Sequence, residues 1–258
     1  MSDLINEQIE HVFQITLNRT DKNNAFDDQV LSQLLELIQH AQTKPDIRAI
    51  VLLANGRHFS AGADLNWMKR MAEFNEDENK ADSMVLAEVM YQLHHSSKPT
   101  IAAVQGAAFG GGAGLVAACD MAIAADNATF CFSEVKLGLI PAVISPYVVK
   151  AIGSRAATWL FTSAEVFDAQ KAMALHLIQS IVTKDELHQQ AMKLAQKIAS
   201  NAPDAVKASK KLVFDVTNHS IDQHLVEETA SRIAKIRVSK EAQMGMKAFL
   251  NKQKPVWD

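Results

Sequence analysis

Two loops rich in glycine and alanine each follow a short apolar run and precede a helical pattern. The first loop is Phe59-Ser60-Ala61-Gly62-Ala63-Asp64-Leu65, after the apolar run 50–53. The second loop covers residues 105–114, after the apolar run 101–104. A helix N-terminus carries unpaired N–H groups and the positive end of the helix dipole. Two such ends that face one pocket would form an oxyanion hole.

The glycine triplet Gly110-Gly111-Gly112 does not match the common nucleotide-binding motifs. Its spacing is not G-x-G-x-x-G, and Asp120 lies too early to contact a ribose. No Lys-Ser or Lys-Thr follows it, as a Walker loop would require. A lone triplet often serves only to permit positive φ or close packing, but its pairing with the first loop favours an anion or oxyanion site.

Glu134 is the strongest side-chain candidate for proton transfer. It lies between the apolar runs 130–132 and 137–141. Most glutamates are solvated, but a carboxylate in apolar surroundings has a raised pKa and can transfer a proton near neutral pH. We therefore expect Glu134 to act as an acid or base beside the two loops.

The two loops and the segment Ser133-Glu134-Val135-Lys136-Leu137-Gly138 resemble the crotonase (enoyl-CoA hydratase/isomerase) superfamily. The resemblance covers nearly the whole chain, from residues 17–19 and 24–25 to the C-terminal segment 248–252. It implies an α/β fold, the ClpP/crotonase-like spiral of β-β-α units, with a helical C-terminal trimerisation region. It also implies an acyl-CoA thioester as substrate, with coenzyme A as part of that substrate and no separate cofactor.

Two further segments resemble one branch of the superfamily. Asn66-Trp67-Met68 and Pro141-Ala142-Val143-Ile144-Ser145-Pro146 are similar to the bacterial 3-methylglutaconyl-CoA hydratases of leucine and acyclic-terpene catabolism. This similarity implies reversible hydration of a branched, carboxylated 2-enoyl-CoA.

The resemblance also implies roles for individual residues. The N–H groups of Ala63 and Gly111 would bind the thioester oxygen, Glu134 would exchange the proton at C2, and the carbonyl of Ala61 would meet the adenine. Phe249 and Lys252 match positions that reach the adenine ring and the 3′-phosphate, sometimes in the neighbouring subunit. The positions expected to contact substrate or coenzyme A are Ala25, Ala61, Ala63, Asp64, Leu65, Asn66, Gly110, Gly111, Gly114, Phe249 and Lys252.

Gly114 departs from the two-glutamate hydratases, which carry a glutamate at this position to hold the attacking water. The Δ3,Δ2-enoyl-CoA isomerases lack that glutamate too, and the methylglutaconyl-CoA hydratase group tolerates a small residue there. Hydratase and isomerase both stay open, and Gly114→Glu is expected to aid hydration if the new side chain fits. A non-catalytic acyl-CoA binder is a further alternative, against which the intact Glu134 argues.

Composition and charge exclude several other classes of function. The chain has 258 residues, is 48% hydrophobic and has a net charge of −3 without a long basic run, which argues against nucleic acid as a partner. Cys119 and Cys131 are expected to be reduced core thiols, and His94-His95 has no partner at metal-ligand spacing. The start lacks a leader pattern and no stretch reaches ~18 apolar residues, so we expect a cytoplasmic protein that enters no membrane.

The order of apolar patterns divides the chain into two regions. Residues 1–195 alternate strand and helix patterns and are predicted to form the spiral core with the thioester site. Residues 196–258 contain helical patterns alone and are predicted to form an oligomerisation region. Apolar faces on such a tail usually pack on something beyond it, and the resemblance implies a homo-oligomer, either a trimer or a dimer of trimers.

Overall fold

The structure, a computed structural model, describes residues 2–217 and 219–257, and these ranges contain nine strands and ten α-helices. The strands are β1 (Leu4–Ile9), β2 (Val12–Leu17), β3 (Ala49–Ala54), β4 (Thr100–Val104), β5 (Ala107–Phe109), β6 (Met121–Ala125), β7 (Thr129–Cys131), β8 (Phe167–Asp168) and β9 (Ser180–Val182). The helices are α1 (Asp28–Thr43), α2 (Leu65–Met71), α3 (Glu76–His95), α4 (Gly111–Ala118), α5 (Ser145–Ser163), α6 (Ala169–Ala174), α7 (Leu187–Ala199), α8 (Pro203–Val216), α9 (Gln223–Arg237) and α10 (Lys240–Leu250). The predicted α/β class with a helical C-terminal region is confirmed.

The larger sheet has six strands in the order β1-β2-β3-β4-β6-β9. The β1–β2 pair is antiparallel, and every other neighbouring pair in this sheet is parallel. The residues of β4 are all buried, and those of β3 are buried up to Leu53. Continuous burial of this kind is typical of parallel strands that are covered on both faces.

A smaller sheet of order β5-β7-β8 leads into the region of the two loops. Strands β5 and β7 run parallel, with Ala108 opposite Phe130. The strand β5 ends at Phe109, directly before the glycine triplet, and β7 ends at Cys131, shortly before Glu134. The two parallel strands therefore deliver the glycine triplet and Glu134 to the same edge of the sheet.

Helix α7 covers one face of the larger sheet. Its buried residues, such as Leu187 and Ala191, pack with Val51 and Ile101 in a cluster separate from the main core. The predicted boundary at 195/196 falls inside this helix, because its last turn still packs on the sheet through Ala199. The division of the chain into a core and an oligomerisation region stays a prediction.

The three C-terminal helices contribute little to the core. None of the described residues in α8, α9 or α10 is buried. Lys210 of α8 bonds Asp120 at 2.6 Å, and Phe214 packs its ring against His94 and His95. Large apolar side chains of the region are exposed, with Phe249 at 82%. No described helix is long and apolar enough to cross a membrane.

Candidate active site

The two glycine-rich loops lie side by side and are joined by backbone hydrogen bonds. Ser60 N–H donates to the carbonyl of Ala107 and Phe109 N–H donates to the carbonyl of Ser60, both at 3.0 Å. A Cβ on Gly62 would lie only 3.1 Å from the carbonyl oxygen of Phe109. The structure thus brings together the two loops that the sequence predicted would face one pocket.

Ala63 presents its N–H group away from Phe26, its partner in an isolated parallel bridge. Its neighbours on either side are tied to Phe26, because Phe26 N–H donates to Gly62 and Asp64 N–H donates to Phe26, both at 2.9 Å. In such a bridge the N–H of the central residue points in the opposite direction. The N–H of Ala63 has no acceptor among the residues that the structure describes.

Gly111 presents the second N–H group at the first turn of α4. The preceding residue, Gly110, has φ 51° and ψ −121°, a conformation that favours glycine, and its N–H donates to the carbonyl of Cys131 at 2.8 Å. The first N–H groups of a helix have no partner within it, and that of Gly111 has no acceptor in the described part of the chain. Its position at a helix N-terminus suits a developing negative charge.

Close packing explains the rest of the glycine triplet. A Cβ on Gly111 would lie 2.6 Å from Cζ of Phe26, and one on Gly112 would lie 2.9 Å from the Ser60 carbonyl oxygen. Helix α4 can therefore approach the first loop only with glycines at its start.

Glu134 lies directly beside the start of α4. It opens a short 3₁₀ helix, Glu134–Leu137, and its Oε1 is 3.3 Å from where a Cβ of Gly110 would be. Its Oε2 is buried and has no hydrogen-bond partner among the described residues. Burial raises the pKa of the Glu134 carboxyl above its ordinary value, in the direction expected from the sequence. A carboxyl group with a raised pKa thus lies beside Gly110, the residue directly before the Gly111 N–H.

Gly114 lies one turn further along α4 and is buried. A Cβ at this position would lie 2.2 Å from Cγ2 of Ile144. A glutamate therefore has no room at position 114, and contact of Gly114 with substrate stays a prediction. Ile144 thus occupies the space that a side chain at position 114 would need.

Asp64 caps helix α2 and forms ion pairs, and its predicted contact with substrate stays a prediction. It is 5% exposed, and its carboxylate accepts from the N–H groups of Asn66 and Trp67, at 2.8 and 3.3 Å, as the N-cap of α2. Its Oδ2 pairs with Lys22 at 2.8 Å and with Arg19 at 3.5 Å. The hydrogen bond from Lys22 is the largest cause that lowers the pKa of Asp64. The side chain is fully engaged in holding the first loop.

The other predicted contact positions divide by exposure. Ala61, Leu65 and Asn66 are exposed around the first loop, where a ligand could reach them. Ala25 is 8% exposed, and its carbonyl accepts from Arg19. Phe249 at the end of α10 and Lys252 just beyond it are both exposed, so their contacts with coenzyme A stay a prediction.

Sequence analysis missed the side chains that fix the glycines. Phe26 and Ile144 carry no chemical group that singles them out, and they lie far from the triplet in sequence. Arg19 was noted only as part of the resemblance, yet it is 8% exposed and pairs with Asp27 as well as Asp64. The sequence signal for this ion-pair cluster was the presence of a cationic residue, Arg19, shortly after the end of an apolar strand.

Comparison with known proteins agrees with this geometry. The model of the enoyl-CoA hydratase/isomerase family matches residues 7–258. A crystal structure from Legionella pneumophila, assigned to the enoyl CoA hydratase/isomerase (crotonase) group, has a TM-score of 0.98 and 58% identity, with 100% of both chains covered. An enoyl-CoA hydratase from Shewanella pealeana has a TM-score of 0.95 and 45% identity, with 99% of this chain and 96% of that chain covered. The 2,3-dehydroadipyl-CoA hydratase of Escherichia coli is 31% identical over 256 residues, 99% of this chain and 98% of that protein. The crotonase fold is thereby confirmed, and the chain belongs to the enoyl-CoA hydratase/isomerase family, as an enzyme that acts on enoyl-CoA thioesters.

Proposed function

We propose that the enzyme reversibly hydrates a branched, carboxylated 2-enoyl-CoA, such as 3-methylglutaconyl-CoA. One observation carries the chemistry: the backbone N–H groups of Ala63 and Gly111 have no acceptor among the described residues. Gly110, directly before Gly111, lies against the half-buried Glu134, whose Oε2 is buried without a hydrogen-bond partner in the same part of the chain. Donors and acid are the two parts needed to form and protonate a thioester enolate.

The N–H groups of Ala63 and Gly111 would bind the thioester oxygen. As water adds at C3, the π electrons of the C2=C3 bond move toward this oxygen, and negative charge develops there. Donors fixed in the backbone stabilise that charge without reorganising, and loss of one such donor typically costs ~2.7–4 kcal/mol. The donors are backbone groups, so truncation of the Ala63 side chain would not remove them.

Glu134 would carry out both proton transfers. Its carboxylate takes a proton from water as the water oxygen bonds to C3, which leaves the enolate on the thioester. The resulting carboxylic acid then returns the proton to C2, and the enolate electrons form the C2–H bond. The net result is addition of one water, and Glu134 ends as it began.

The choice of substrate rests on sequence similarity. The segments 66–68 and 141–146 resemble the methylglutaconyl-CoA hydratase group, and this supports a place in leucine or terpenoid catabolism. The E. coli relative is a hydratase of 2,3-dehydroadipyl-CoA, which supports addition of water by this fold.

A Δ3,Δ2-enoyl-CoA isomerase is the second candidate, and the packing at Gly114 favours it. One carboxylate suffices to move a proton between C2 and C4, and an acid does not fit at position 114. A non-catalytic acyl-CoA binder is the third candidate, but the half-buried Glu134, with a raised pKa and a position beside Gly110, argues against it.

Incubation with three substrates distinguishes these candidates. The purified protein is mixed in turn with 3-methylglutaconyl-CoA, crotonyl-CoA and a 3-enoyl-CoA, and the conjugated-thioester absorbance and product mass are followed. A hydratase yields a product heavier by one water, whereas an isomerase changes the absorbance without a change of mass. A binder changes neither.

The proposal extends to assembly and location. We propose a homo-oligomer, a trimer or a dimer of trimers, because α8, α9 and α10 leave apolar side chains exposed. Phe249 and Lys252 would contact coenzyme A in that assembly. The enzyme would work in the cytoplasm and would need no cofactor other than the coenzyme A of its substrate.

A further inference from the structure

Ile144 rests directly on the bare backbone of Gly114. A Cβ on Gly114 would lie 2.2 Å from Cγ2 of Ile144 and 2.8 Å from its Cβ. Ile144 is 2% exposed, and its carbonyl accepts from Tyr147 and Val148 at the start of α5, so its backbone is held in place. Only glycine fits at position 114 against this isoleucine.

The blocked position lies next to the reacting region. Gly114 N–H donates to the carbonyl of Gly110 at 3.1 Å, so the two glycines are one helical turn apart on the same face of α4. Glu134 lies over Gly110, and Ile144 lies over Gly114. A side chain at 114 would therefore stand beside Glu134, and an acid there could hold the attacking water.

We infer that Ile144 is a specificity-determining residue, because it excludes a second acid and so favours substrates that help to hold the water themselves. The inference rests on the proposed hydration. With one acid, Glu134 must both accept and return the proton, and the water needs another polar partner. A carboxylated acyl group supplies one, whereas the acyl group of crotonyl-CoA has none beyond the thioester.

A thermal double-mutant cycle tests the packing. Gly→Ala inside a helix normally stabilises, but Gly114→Ala should lower Tm by roughly 3 °C or more because its Cβ meets Ile144. In an Ile144→Gly background the same change should leave Tm unchanged or raise it. Val148→Ala, which also removes apolar volume from α5, should give no such relief. Equal losses of Tm in all three backgrounds would overturn the packing of this pair.

A kinetic comparison tests the specificity. Gly114→Glu/Ile144→Gly should hydrate crotonyl-CoA with a kcat/KM at least about tenfold above that of Ile144→Gly alone, as expected for an added acid–base group. Should the glutamate variant fail to fold, Gly114→Asp/Ile144→Gly carries the same comparison. A folded double variant without this gain would overturn the role of Ile144.

The proposed hydration and the specificity role of Ile144 can be contradicted separately. A wild type that adds water to none of the enoyl-CoA substrates would overturn both the proposed hydration and the specificity role. The thermal double-mutant cycle would still test the packing of Ile144 on Gly114. A wild type that hydrates, with double variants that show no gain on crotonyl-CoA, would overturn the specificity role alone.

Discussion

At the scale of single residues, we expect Glu134 to decide whether the site reacts. The isosteric change Glu134→Gln removes the titratable group and keeps the shape, so turnover should fall by about 10²-fold or more while coenzyme A affinity stays unchanged. Steady-state kinetics and calorimetric titration with coenzyme A measure the two effects. Turnover close to that of the wild type would remove Glu134 from the mechanism.

The same residue predicts a pH dependence. Burial raises the pKa of Glu134, so its carboxylate form, which takes the proton from water, is lost as pH falls through this raised value. The free energy of unfolding changes with pH in the opposite direction to activity. Because the folded-state pKa of Glu134 is raised, folding favours its protonated form, and the protein loses stability as pH rises through that pKa. Glu134→Gln should therefore not lower Tm at pH 7, and its Tm should vary less than that of the wild type between pH 4 and pH 7. A marked loss of Tm at pH 7 would contradict a carboxylate whose Oε2 is buried without a partner among the described residues.

At the scale of elements, the first loop and α2 depend on Asp64. Its carboxylate caps α2 and pairs with Lys22 and Arg19, so Asp64→Ala should cost about 1 kcal/mol for the cap. Loss of the ion pairs adds to this cost, although Arg19 keeps its ion pair with Asp27. Because the pKa of Asp64 is lowered, this stabilisation is present above the unfolded-state pKa and is lost as pH falls through the folded-state value.

The change at Asp64 should also act on catalysis, since Asp64 follows the Ala63 donor. We expect kcat to fall about tenfold or more, with a smaller change in KM, if the Ala63 N–H loses its direction. Asp222→Ala is the matched control, because Asp222 caps the exposed helix α9. Equal effects of both variants on kcat would show that Asp64 matters only for stability.

Particular elements also show which parts of the structure could be predicted from the sequence. The two loops, Glu134 and the alternation of strands and helices could be predicted, because each leaves a local pattern of glycines or apolar residues. The packing of Ile144 on Gly114 and of Phe26 on Gly111 could not be predicted. These contacts depend only on shape and link residues that are distant in sequence. Helix α7 has a helical pattern like that of the C-terminal region, but its apolar face packs on the sheet, which the pattern alone does not show.

At the scale of the whole molecule, the C-terminal helices predict self-association. Exposed side chains such as Ile233, Val238, Phe249 and Leu250 leave apolar surface that a second copy could cover. Light scattering at micromolar concentration should therefore give a mass near three or six chains. A monomer under these conditions would contradict the proposed assembly.

The same region predicts how coenzyme A is held. Lys252→Ala should weaken binding of coenzyme A more than binding of the matching pantetheine thioester, because pantetheine lacks the 3′-phosphate that the lysine is proposed to meet. Lys254→Ala, which changes an exposed lysine in the same segment, is the control. Equal losses for both ligands in Lys252→Ala would rule out the contact with the phosphate.

Reaction of the wild type in deuterium oxide tests the central claim most directly. With 3-methylglutaconyl-CoA as substrate, the account predicts a product that has gained one water, with deuterium at C2 delivered by Glu134. Mass spectrometry and proton NMR of the product read both results at once. A wild type that converts a 3-enoyl-CoA to the 2-enoyl form but never forms a hydrated product would contradict the account.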